Sequence, residues 1–496
     1  MRSSDFLRLD ESDNVIVLPL GGARGDEADG TKLSTDVPPG HKIASTRIAP
    51  GDAVVKYGHP IGSATAEIWP GDWVHEHNVA TRLGTDAEQL PIWTGGKRCS
   101  EPPRHPQEKY TFMGYRRQRG RPGVRNELWI IPTVGCINGE LRALATRYHK
   151  PYWIDAVRVL EHPYGCSQLG DDILYTKNIL AGLARNPNAS GVLLVGLGCE
   201  NLLIAEVLER IGFEDTIKRV KHLVLQDEEA YEDKLSQYLD ELAANTPRVR
   251  EVFPLSDLCV GVKCGGSDGY SGLTANPLVG RFSDFLTAQG GTILATEIPE
   301  MFGAEDVIAS RICDERVFDR FMTMDRWFRD YFKRHGQPIY ENPSPGNRKG
   351  GITTLEEKSL GAVEKTGSAL ISAVLGYGDR ATDDGDVQIA FSPGNDLVSC
   401  TSLAGSGAQI ILFTTGRGTP FGTVVPTVKI STNTPLFERH PGWIDFDAGT
   451  LLTGESWDDA TKRLVDYVIK VASGEKTTHE KKNIGEIAIF KDGVTL

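Results

Sequence analysis

The sequence predicts a small N-terminal β-domain followed by two α/β regions with mainly parallel sheets. Through residue 95, short apolar stretches alternate with turn residues about every ten positions, which is typical of a small β-domain. After residue 111, continuous apolar runs indicate strands buried on both faces, and segments of helical periodicity separate them. A chain of 496 residues exceeds the size of a single hydrophobic core, so several domains are expected.

The predicted elements follow in order. The β-domain spans residues 1–95, with strands in NVIVLPL, HKIASTRI, AVVKYGHPIGSA and DWVHEHNV. Residues 96–110, rich in proline and charge, form a linker. The central α/β domain, 111–250, has strands in LWIIPTV and GVLLVGLG and a helix in EEAYEDKLSQYLDELAAN. The C-terminal α/β domain, 251–496, has strands in LCVGVKC, GTILATEI, VQIAFS and QIILFTT, and a long helical stretch between Gly303 and Arg334.

Composition excludes several classes of partner. The formal charge is −13, and no basic stripe interleaved with aromatics is present, so a nucleic-acid partner is not expected. The apolar runs are strand-sized, which predicts neither a secretory signal nor a membrane span. Eight cysteines without a compact framework are typical of a reduced compartment. We expect a cytoplasmic protein that acts on a small molecule, and we leave a homo-oligomer open.

Histidines concentrate in the predicted β-domain. His41 and Lys42 begin one strand, and His75 and His77 stand two positions apart in another. Side chains alternate along a strand, so His75 and His77 should share a face. Two imidazoles on one face suit metal binding or proton transfer. An exposed pair on an edge strand is the alternative interpretation.

Polar loops follow the strands of the central domain. The stretch HPYGCSQLGDD holds His162, Cys166 and Gln168, and it precedes a helix that Asp171 or Asp172 is predicted to cap. The motif GLGCEN places Cys199 and Glu200 directly after another strand. Ligands commonly bind at the carboxyl ends of the strands of such sheets.

The C-terminal domain repeats this pattern. The loop VKCGGSDGYSGLTANP follows a strand, ENPSPGNRKGG and TTGRGTPFG are glycine-rich and cationic, and no nucleotide motif is present. Several strands followed by glycine-plus-polar clusters predict a shared site for a small, oxygenated ligand. The candidate residues in these loops are Cys264, Ser267, Asp268, Thr274, Asn276, Lys349 and Arg417.

The chain resembles the altronate/galactarate dehydratase family in motifs along its whole length. These include GHKIA, KYGHPIG, VHEHN, GVRNELWIIPTVGC, YGCSQLGDD, GLGCEN, CGGSDGYSGLTANP, PEMFGAE, ENPSPGN, GGITTLEEKSLG, TTGRGTP and EIAIFKDGVTL. The resemblance implies a β-clip (SAF-type) N-terminal domain and iron(II)-dependent dehydration of a sugar acid to a 2-keto-3-deoxy acid.

The versions SQLGDD and PEMFGAE favour D-altronate as substrate, giving 2-dehydro-3-deoxy-D-gluconate in hexuronate (galacturonate) catabolism. Galactarate dehydration or sulfolactate cleavage is the alternative activity, and a non-catalytic sugar-acid sensor is a remote one.

This chemistry needs a base, an acid and stabilisation of an enolate. His162, His75 and His77, with Lys42, are the candidate proton-transfer groups. Lys42, Lys349 and Arg417 are candidate partners of the substrate carboxylate. The polyol is expected to contact His41, Ser267, Asp268, Thr274 and Asn276. The predicted ligands of Fe²⁺, or of another divalent cation such as Mn²⁺, are His162, Cys166, Gln168, Cys199 and Glu200; the alternative is an iron–sulfur cluster on Cys166, Cys199 and Cys264.

Overall fold

A computed structural model describes residues 6–85, 88–95, 110–212 and 219–495. The predicted linker at 96–110 lies, apart from Tyr110, outside these described residues. No helix in the described ranges is both long enough and apolar enough to cross a membrane. Among the cysteines of the described ranges, six are free thiols and Cys313 is disulfide-bonded.

The N-terminal region is a β-domain, as predicted. Its described residues form two three-stranded antiparallel sheets, ordered β1-β4-β7 and β5-β6-β8, and a β2-β3 hairpin. Alternating burial along β5 reflects one face packed on the core and one facing outward. The strands are β1 Val15–Leu18, β2 Glu27–Ala28, β3 Thr31–Lys32, β4 His41–Ala44, β5 Ala53–Lys56, β6 His59–Ala64, β7 Trp73–Val74 and β8 Val79–Ala80.

The central region is an α/β layer around a parallel sheet. Its described residues form four strands in the order β11-β10-β12-β13, and every residue of β10 and β12 is buried, as expected for strands covered on both faces. The elements are β9 Thr111–Gly114, β10 Glu127–Pro132, α1 Asn138–Arg147, β11 Val157–Val159, α2 Asp172–Arg185, β12 Ala189–Gly196, α3 Ile204–Ile211, β13 Val220–Val224 and α4 Tyr231–Ala244.

The C-terminal region contains a second, larger parallel sheet. In the described part of the chain it has seven strands, ordered β17-β18-β16-β15-β19-β20-β21, and a separate strand β14 pairs antiparallel with β9. Its strands are β14 Glu251–Pro254, β15 Cys259–Cys264, β16 Thr292–Ala295, β17 Ile371–Leu375, β18 Val387–Ala390, β19 Ile410–Thr415, β20 Thr427–Ser431 and β21 Phe446–Asp447.

Helices cover both faces of that sheet. The stretch between Gly303 and Arg334, predicted as one long helical segment, contains two helices, because the chain breaks after Ala309 and restarts where Asp314 caps the next helix by accepting from the Arg316 N–H. The helices are α5 Ala275–Ala288, α6 Glu305–Ala309, α7 Glu315–Arg334, α8 Pro345–Lys349, α9 Leu355–Val363, α10 Asp396–Gly405, α11 Thr434–Arg439, α12 Trp457–Ala472 and α13 Thr478–Lys481.

The strands of the two parallel sheets run in the same direction. Helix α2 packs beside α10. Tyr175, near the start of α2, lies close to Phe391, which precedes α10. Asn186, just after the end of α2, donates to the Ala404 carbonyl near the end of α10. The two helices therefore run in the same direction. Each helix runs opposite to the strands it connects, so the carboxyl ends of both sheets face one side of the molecule.

Candidate active site

A cavity of about 720 Å³ lies between the β-domain and the loop that carries α8. Its volume suits a small polar ligand, since pockets for such ligands span roughly 300–1,000 Å³. The β-domain supplies two histidines, an indole and a carboxylate, and the loop supplies two cations and a second carboxylate. The side chains used below are His41, Trp73, His75, Glu76, Glu341, Arg348 and Lys349.

The two histidines of the cavity stand ring to ring. Their centroids are 5.0 Å apart. The indole N–H of Trp73 donates to Nδ1 of His41 at 3.1 Å, so Nε2 of His41 carries the proton and faces the Lys349 carbonyl at 3.4 Å. Nδ1 of His75 is buried and has no hydrogen-bond partner among the described residues. Buried polar atoms rarely lack a partner, so His75 is poised to bond a ligand in this cavity.

His75 is neutral at physiological pH. Burial lowers its pKa to about 4, and the nearby charge of Lys42 adds to the effect. Burial also lowers the pKa of His41. A neutral imidazole has a free lone pair, so His75 can accept a proton.

The prediction that His75 and His77 share a strand face is wrong. Strand β7 ends at Val74, and residues 75–78 form a turn in which the Asn78 side chain accepts from the His75 N–H. His75 is consequently buried while His77 is exposed, with its ring 5.3 Å from that of Trp73.

Two cations line the same cavity as the histidines. Lys349 is exposed, and Arg348 forms an ion pair with Glu76 at 3.2 Å. An ammonium and a guanidinium suit a carboxylate ligand. Arg417 is also exposed, but it stands beside Gly266 in a different loop.

The loop after β15 packs directly behind this cavity. Asp268 is buried and accepts from Thr432, Ser271 and Asn433. Burial raises the pKa of Asp268 to about 6, although these hydrogen bonds oppose the increase. Ser267 is buried too, and its carbonyl accepts from Asn347.

Two residues of that loop that were predicted to bind the polyol substrate form hydrogen bonds within the protein instead. The Thr274 hydroxyl donates to the Thr432 carbonyl, and the Asn276 amide donates to the Gly361 carbonyl while its oxygen accepts from Thr414. Both side chains are fully buried. Asn276 therefore holds this segment against α9, and Thr274 holds it against the residues that follow β20.

Backbone contacts fix the β-domain on this loop. A Cβ on Gly269 would clash with the carbonyl oxygen of Gly40, so the backbone of the loop and that of the β-domain approach each other closely. A Cβ on Gly351 would stand 2.6 Å from the Gly40 carbonyl, and Gly351 has φ +105°, so only glycine fits this approach. The β-domain therefore covers the cavity from one side.

A buried ion triad adds to this docking. Lys42 and Lys56 donate to the two oxygens of Glu357 at 2.8 and 2.7 Å, and all three side chains are at most 2% exposed. Burial lowers the pKa of Lys42 to about 8, which Glu357 opposes. Although burial alone would raise it, the two ammonium groups hold the pKa of Glu357 well below its usual range. Lys42 thus pairs with Glu357 rather than facing the cavity.

A second group of predicted site residues lies at the carboxyl end of the central sheet. Nε2 of His162 donates to the Pro132 carbonyl at 2.8 Å, and its Nδ1 accepts from the Tyr164 N–H at 3.2 Å. Burial lowers the pKa of His162 to about 4. Both ring nitrogens are therefore occupied, and His162 holds its loop in shape.

The side-chain oxygens of Gln168 and Glu200, which were predicted to bind the metal, also accept hydrogen bonds from the protein. Gln168 accepts from the Gly165 N–H and from Thr176. Glu200 accepts from Thr133 at 2.7 Å and from the Gly198 N–H at 2.6 Å. Burial would raise the pKa of Glu200, but these donors lower it.

Asp171 and Asp172, one of which was predicted to cap α2, do not cap that helix with their side chains. Asp171 is the N-cap residue of α2 but makes no side-chain cap bond. Asp172 instead accepts from the N–H groups of Asp492 and Gly493 at 2.7 and 3.0 Å. The carboxylate therefore fastens the C-terminal segment to the central region.

Three cysteines gather at the same edge. Cys136 and Cys199 are exposed and Cys166 is half-buried, and they follow strands β10, β12 and β11, which are neighbours in the sheet. Cys264 lies on β15 of the other sheet, with its sulfur 3.0 Å from the Ser267 hydroxyl. No group of three or more His, Cys, Asp or Glu side chains in the described ranges has the spacing of a metal site.

Several charged residues of the site were missed from the sequence. Glu357 binds two lysines, Lys263 pairs with Glu297 behind the loop after β15, and Lys358 pairs with Glu300 at 2.9 Å. The motif TEIPEMFGAE carries two of these glutamates, Glu297 and Glu300. Buried lysines in apolar strands, such as LCVGVKC, are the signal that would have pointed to them.

A β-domain closed over a polar cavity, beside the carboxyl ends of parallel strands, defines an enzyme scaffold for a small polar substrate. Comparison with protein families gives the particular class. The chain matches the altronate/galactarate dehydratase SAF domain at residues 4–82 and the second domain of D-galactarate dehydratase/altronate hydrolase at 114–249. The C-terminal domain of D-galactarate/altronate dehydratase matches residues 255–495. The chain belongs to the altronate/galactarate dehydratase family and is a hydro-lyase, a carbon–oxygen lyase.

Individual relatives align over nearly the whole chain. The altronate dehydratase of Bacillus subtilis (strain 168) is 46% identical over 505 residues, covering 99% of each chain. That of Escherichia coli (strain K12) is 44% identical, covering 99% of this chain and all of the relative. The galactarate dehydratase (L-threo-forming) of E. coli is 34% identical over 95% of this chain and 94% of its own length.

Proposed function

We propose that this protein dehydrates D-altronate to 2-dehydro-3-deoxy-D-gluconate. The observation that carries the choice of substrate is the 44–46% identity to two altronate dehydratases, against 34% to a galactarate dehydratase, all over nearly full length. The cavity between the β-domain and the α8 loop has the size and the polarity for a six-carbon sugar acid.

The reaction removes a proton from C2 and the hydroxyl from C3, and the resulting enol becomes the 2-keto acid. The C2 proton is weakly acidic, so a base must act while the enolate is stabilised. His75 is the proposed base, since its imidazole is neutral and its Nδ1 is buried without a partner among the described residues. His75, once it carries the C2 proton, is the proposed donor of the proton that the departing hydroxyl needs, and the ring of His41 stands 5.0 Å from it.

Substrate orientation is assigned to the cationic wall. Lys349 and Arg348 line the cavity together with the histidines and are the proposed partners of the carboxylate. Charge on these residues also favours the enolate, which carries more negative charge than the substrate. Replacing Lys349 with glutamine is expected to raise KM for altronate about tenfold or more, because a charge-assisted hydrogen bond contributes about 1.5–3 kcal/mol. Arg439→Gln serves as a control outside the cavity.

Iron(II), which the family resemblance implies, is the proposed cofactor. In this arrangement His162, Gln168 and Glu200 do not fit as ligands, because their donor atoms already hold the loops. The thiols of Cys136, Cys166 and Cys199 also stand at this edge, and thiolates are ligands for iron. If bound there, a metal ion would supply a Lewis acid.

The cofactor proposal is tested by elemental analysis of protein purified without oxygen. We expect iron in the wild type and its loss in the Cys166→Ser/Cys199→Ser variant, with iron retained in Cys264→Ser. About one colourless ion per chain indicates a mononuclear site, and several irons with visible absorption indicate a cluster. Wild-type iron content in the double variant contradicts the assignment, and manganese in place of iron contradicts the choice of metal.

The substrate is tested by a panel. Purified protein with Fe²⁺ under argon is incubated with D-altronate, galactarate and sulfolactate, and 2-keto acid is measured. We expect the highest kcat/KM with altronate. A preference for either of the other acids, or binding of altronate without turnover, overturns the proposal. The homo-oligomer and the cytoplasmic location stay predictions for light scattering and cell fractionation.

A further inference from the structure

Two consecutive residues of β4 reach backbone carbonyls of the α8 loop. Nε2 of His41 donates to the Lys349 carbonyl at 3.4 Å, and Nζ of Lys42 donates to the Gly351 carbonyl at 3.3 Å. The first strand residues of the β-domain therefore hold the end of the loop at two carbonyl groups, one on each side of Gly350.

His41 uses both of its ring nitrogens in such contacts. Its Nδ1 accepts from the Trp73 indole N–H at 3.1 Å, while its Nε2 donates to the Lys349 carbonyl. The side chain is buried, and burial lowers the pKa of His41 although the Lys349 carbonyl opposes the decrease. The imidazole is consequently neutral, and it can neither bind nor release a proton without losing one of these two bonds.

The neighbouring His75 has a different environment. Its ring centroid lies 5.0 Å from that of His41, but its buried Nδ1 has no hydrogen-bond partner in the described part of the chain. An unoccupied nitrogen suits proton transfer, whereas a ring bonded at both nitrogens suits a structural link. The two histidines of the cavity therefore have different roles.

The link leads to a cation of the cavity. The side chain of Lys349 is exposed and lines the cavity, and its backbone ends α8. The position of the ammonium group depends on the backbone that carries it, so a shift of the loop would move the charge away from a bound carboxylate. The other tie of this loop, the ion pair between Arg348 and Glu76, joins two side chains that are 39% and 52% exposed. Exposed ion pairs contribute little, so the buried link through His41 is the more effective one.

We propose that His41 is a positioning residue, which holds the α8 loop on the β-domain and thereby places Lys349 for the substrate carboxylate. Trp73 completes the link, because its N–H occupies Nδ1 of His41 and leaves the ring proton on Nε2 for the Lys349 carbonyl. The inference rests on the proposed function for the role of Lys349, but the link itself can be measured without turnover.

Three variants separate positioning from catalysis. His41→Leu fills the space of the ring but removes both nitrogens, and His41→Gln keeps an amide N–H that can donate to the Lys349 carbonyl. Trp73→Phe keeps an aromatic ring beside His75 but removes the N–H. His149→Leu is the control, because His149 is exposed and lies in the central region after α1.

Hydrogen exchange of the amides in residues 346–352 measures the link and requires no substrate. We expect exchange about three- to tenfold faster in His41→Leu, an intermediate rate in Trp73→Phe, and rates near the wild-type value in His41→Gln and in the control. Circular dichroism verifies the fold of each variant, and Trp73→Phe carries the test if His41→Leu is unfolded. Wild-type exchange in both His41→Leu and Trp73→Phe, or equally fast exchange in His41→Leu and His41→Gln, overturns the proposal.

Steady-state kinetics with D-altronate measures the consequence for the reaction. We expect KM to rise about three- to tenfold in His41→Leu while kcat stays within about twofold, and we expect His41→Gln to restore most of the change in KM. A fall in kcat of about 10²-fold or more in both His41 variants, with unchanged exchange in the loop, would make His41 a catalytic residue and overturn the positioning role.

Discussion

Replacing Glu357 with glutamine should loosen the β-domain from the rest of the protein. The carboxylate accepts from Lys42 of β4, from Lys56 at the end of β5 and from the Thr353 N–H at 2.8 Å. Glutamine keeps the shape of the side chain but leaves two buried ammonium groups without a counter-charge. The neighbouring Glu356 offers a matched control.

The expected magnitudes differ because the two glutamates have different partners. Breaking a buried ion pair by removing one partner costs about 3–5 kcal/mol. Glu356 is 3% exposed and also contacts the β-domain, but it accepts from the Thr81 hydroxyl and the Arg82 N–H rather than from an ammonium group. Burial raises the pKa of Glu356, so its neutral form is tolerated. Glu356→Gln should therefore cost only about 1 kcal/mol.

Urea unfolding and hydrogen exchange measure this difference. The transition that exposes the β-domain should move to lower urea by about 1 M or more in Glu357→Gln, given a slope of about 1–3 kcal/mol/M. Faster amide exchange in β4 and β5 should locate the change. Equal midpoints for Glu357→Gln and Glu356→Gln would refute the role given to the ion triad.

Two further predictions concern the central and C-terminal regions. His162→Ala should lower the free energy of unfolding by about 2 kcal/mol or more, because the Pro132 carbonyl and the Tyr164 N–H lose their partner. We expect kcat to change little. A variant that loses turnover while its free energy of unfolding is unchanged contradicts this prediction. Arg125 holds the pKa of Glu480 to about 2 against the effect of burial, so the ion pair stabilises the fold above about pH 4.5 and this stabilisation fades as the pH falls toward 2. Glu480→Gln should remove that part of the acid dependence in denaturant titrations at pH 3 to 6, and identical slopes would exclude it.

Much of the architecture could be predicted from local patterns. The apolar runs LCVGVKC and QIILFTT became neighbouring strands β15 and β19, because side chains buried on both faces produce continuous hydrophobic segments. The polar loop after β15 packs behind the cavity, whereas the residues that line the cavity come from the β-domain and the α8 loop. The His75–His77 prediction was wrong because the Asn78 side chain closes a turn there, and strand periodicity does not report such a bond.

The site was harder to predict than the sheets. Lys42 and Glu357 are 315 positions apart, so no local spacing pairs them. His162 and Glu200 have residue types that suit metal ligands, but their hydrogen bonds to backbone groups become visible only in three dimensions. The cavity itself arises from the docking of the β-domain on the α8 loop, which sequence periodicity does not encode.

The central claim is that the cavity holding His75 is where the sugar acid loses water. Steady-state turnover of D-altronate by the wild type, His75→Gln and His77→Gln tests it most directly. We expect kcat to fall about 10²–10⁴-fold in His75→Gln, as for loss of a general base, and to stay near the wild-type value in His77→Gln. Wild-type turnover in folded His75→Gln, or an equal loss in both variants, would contradict it.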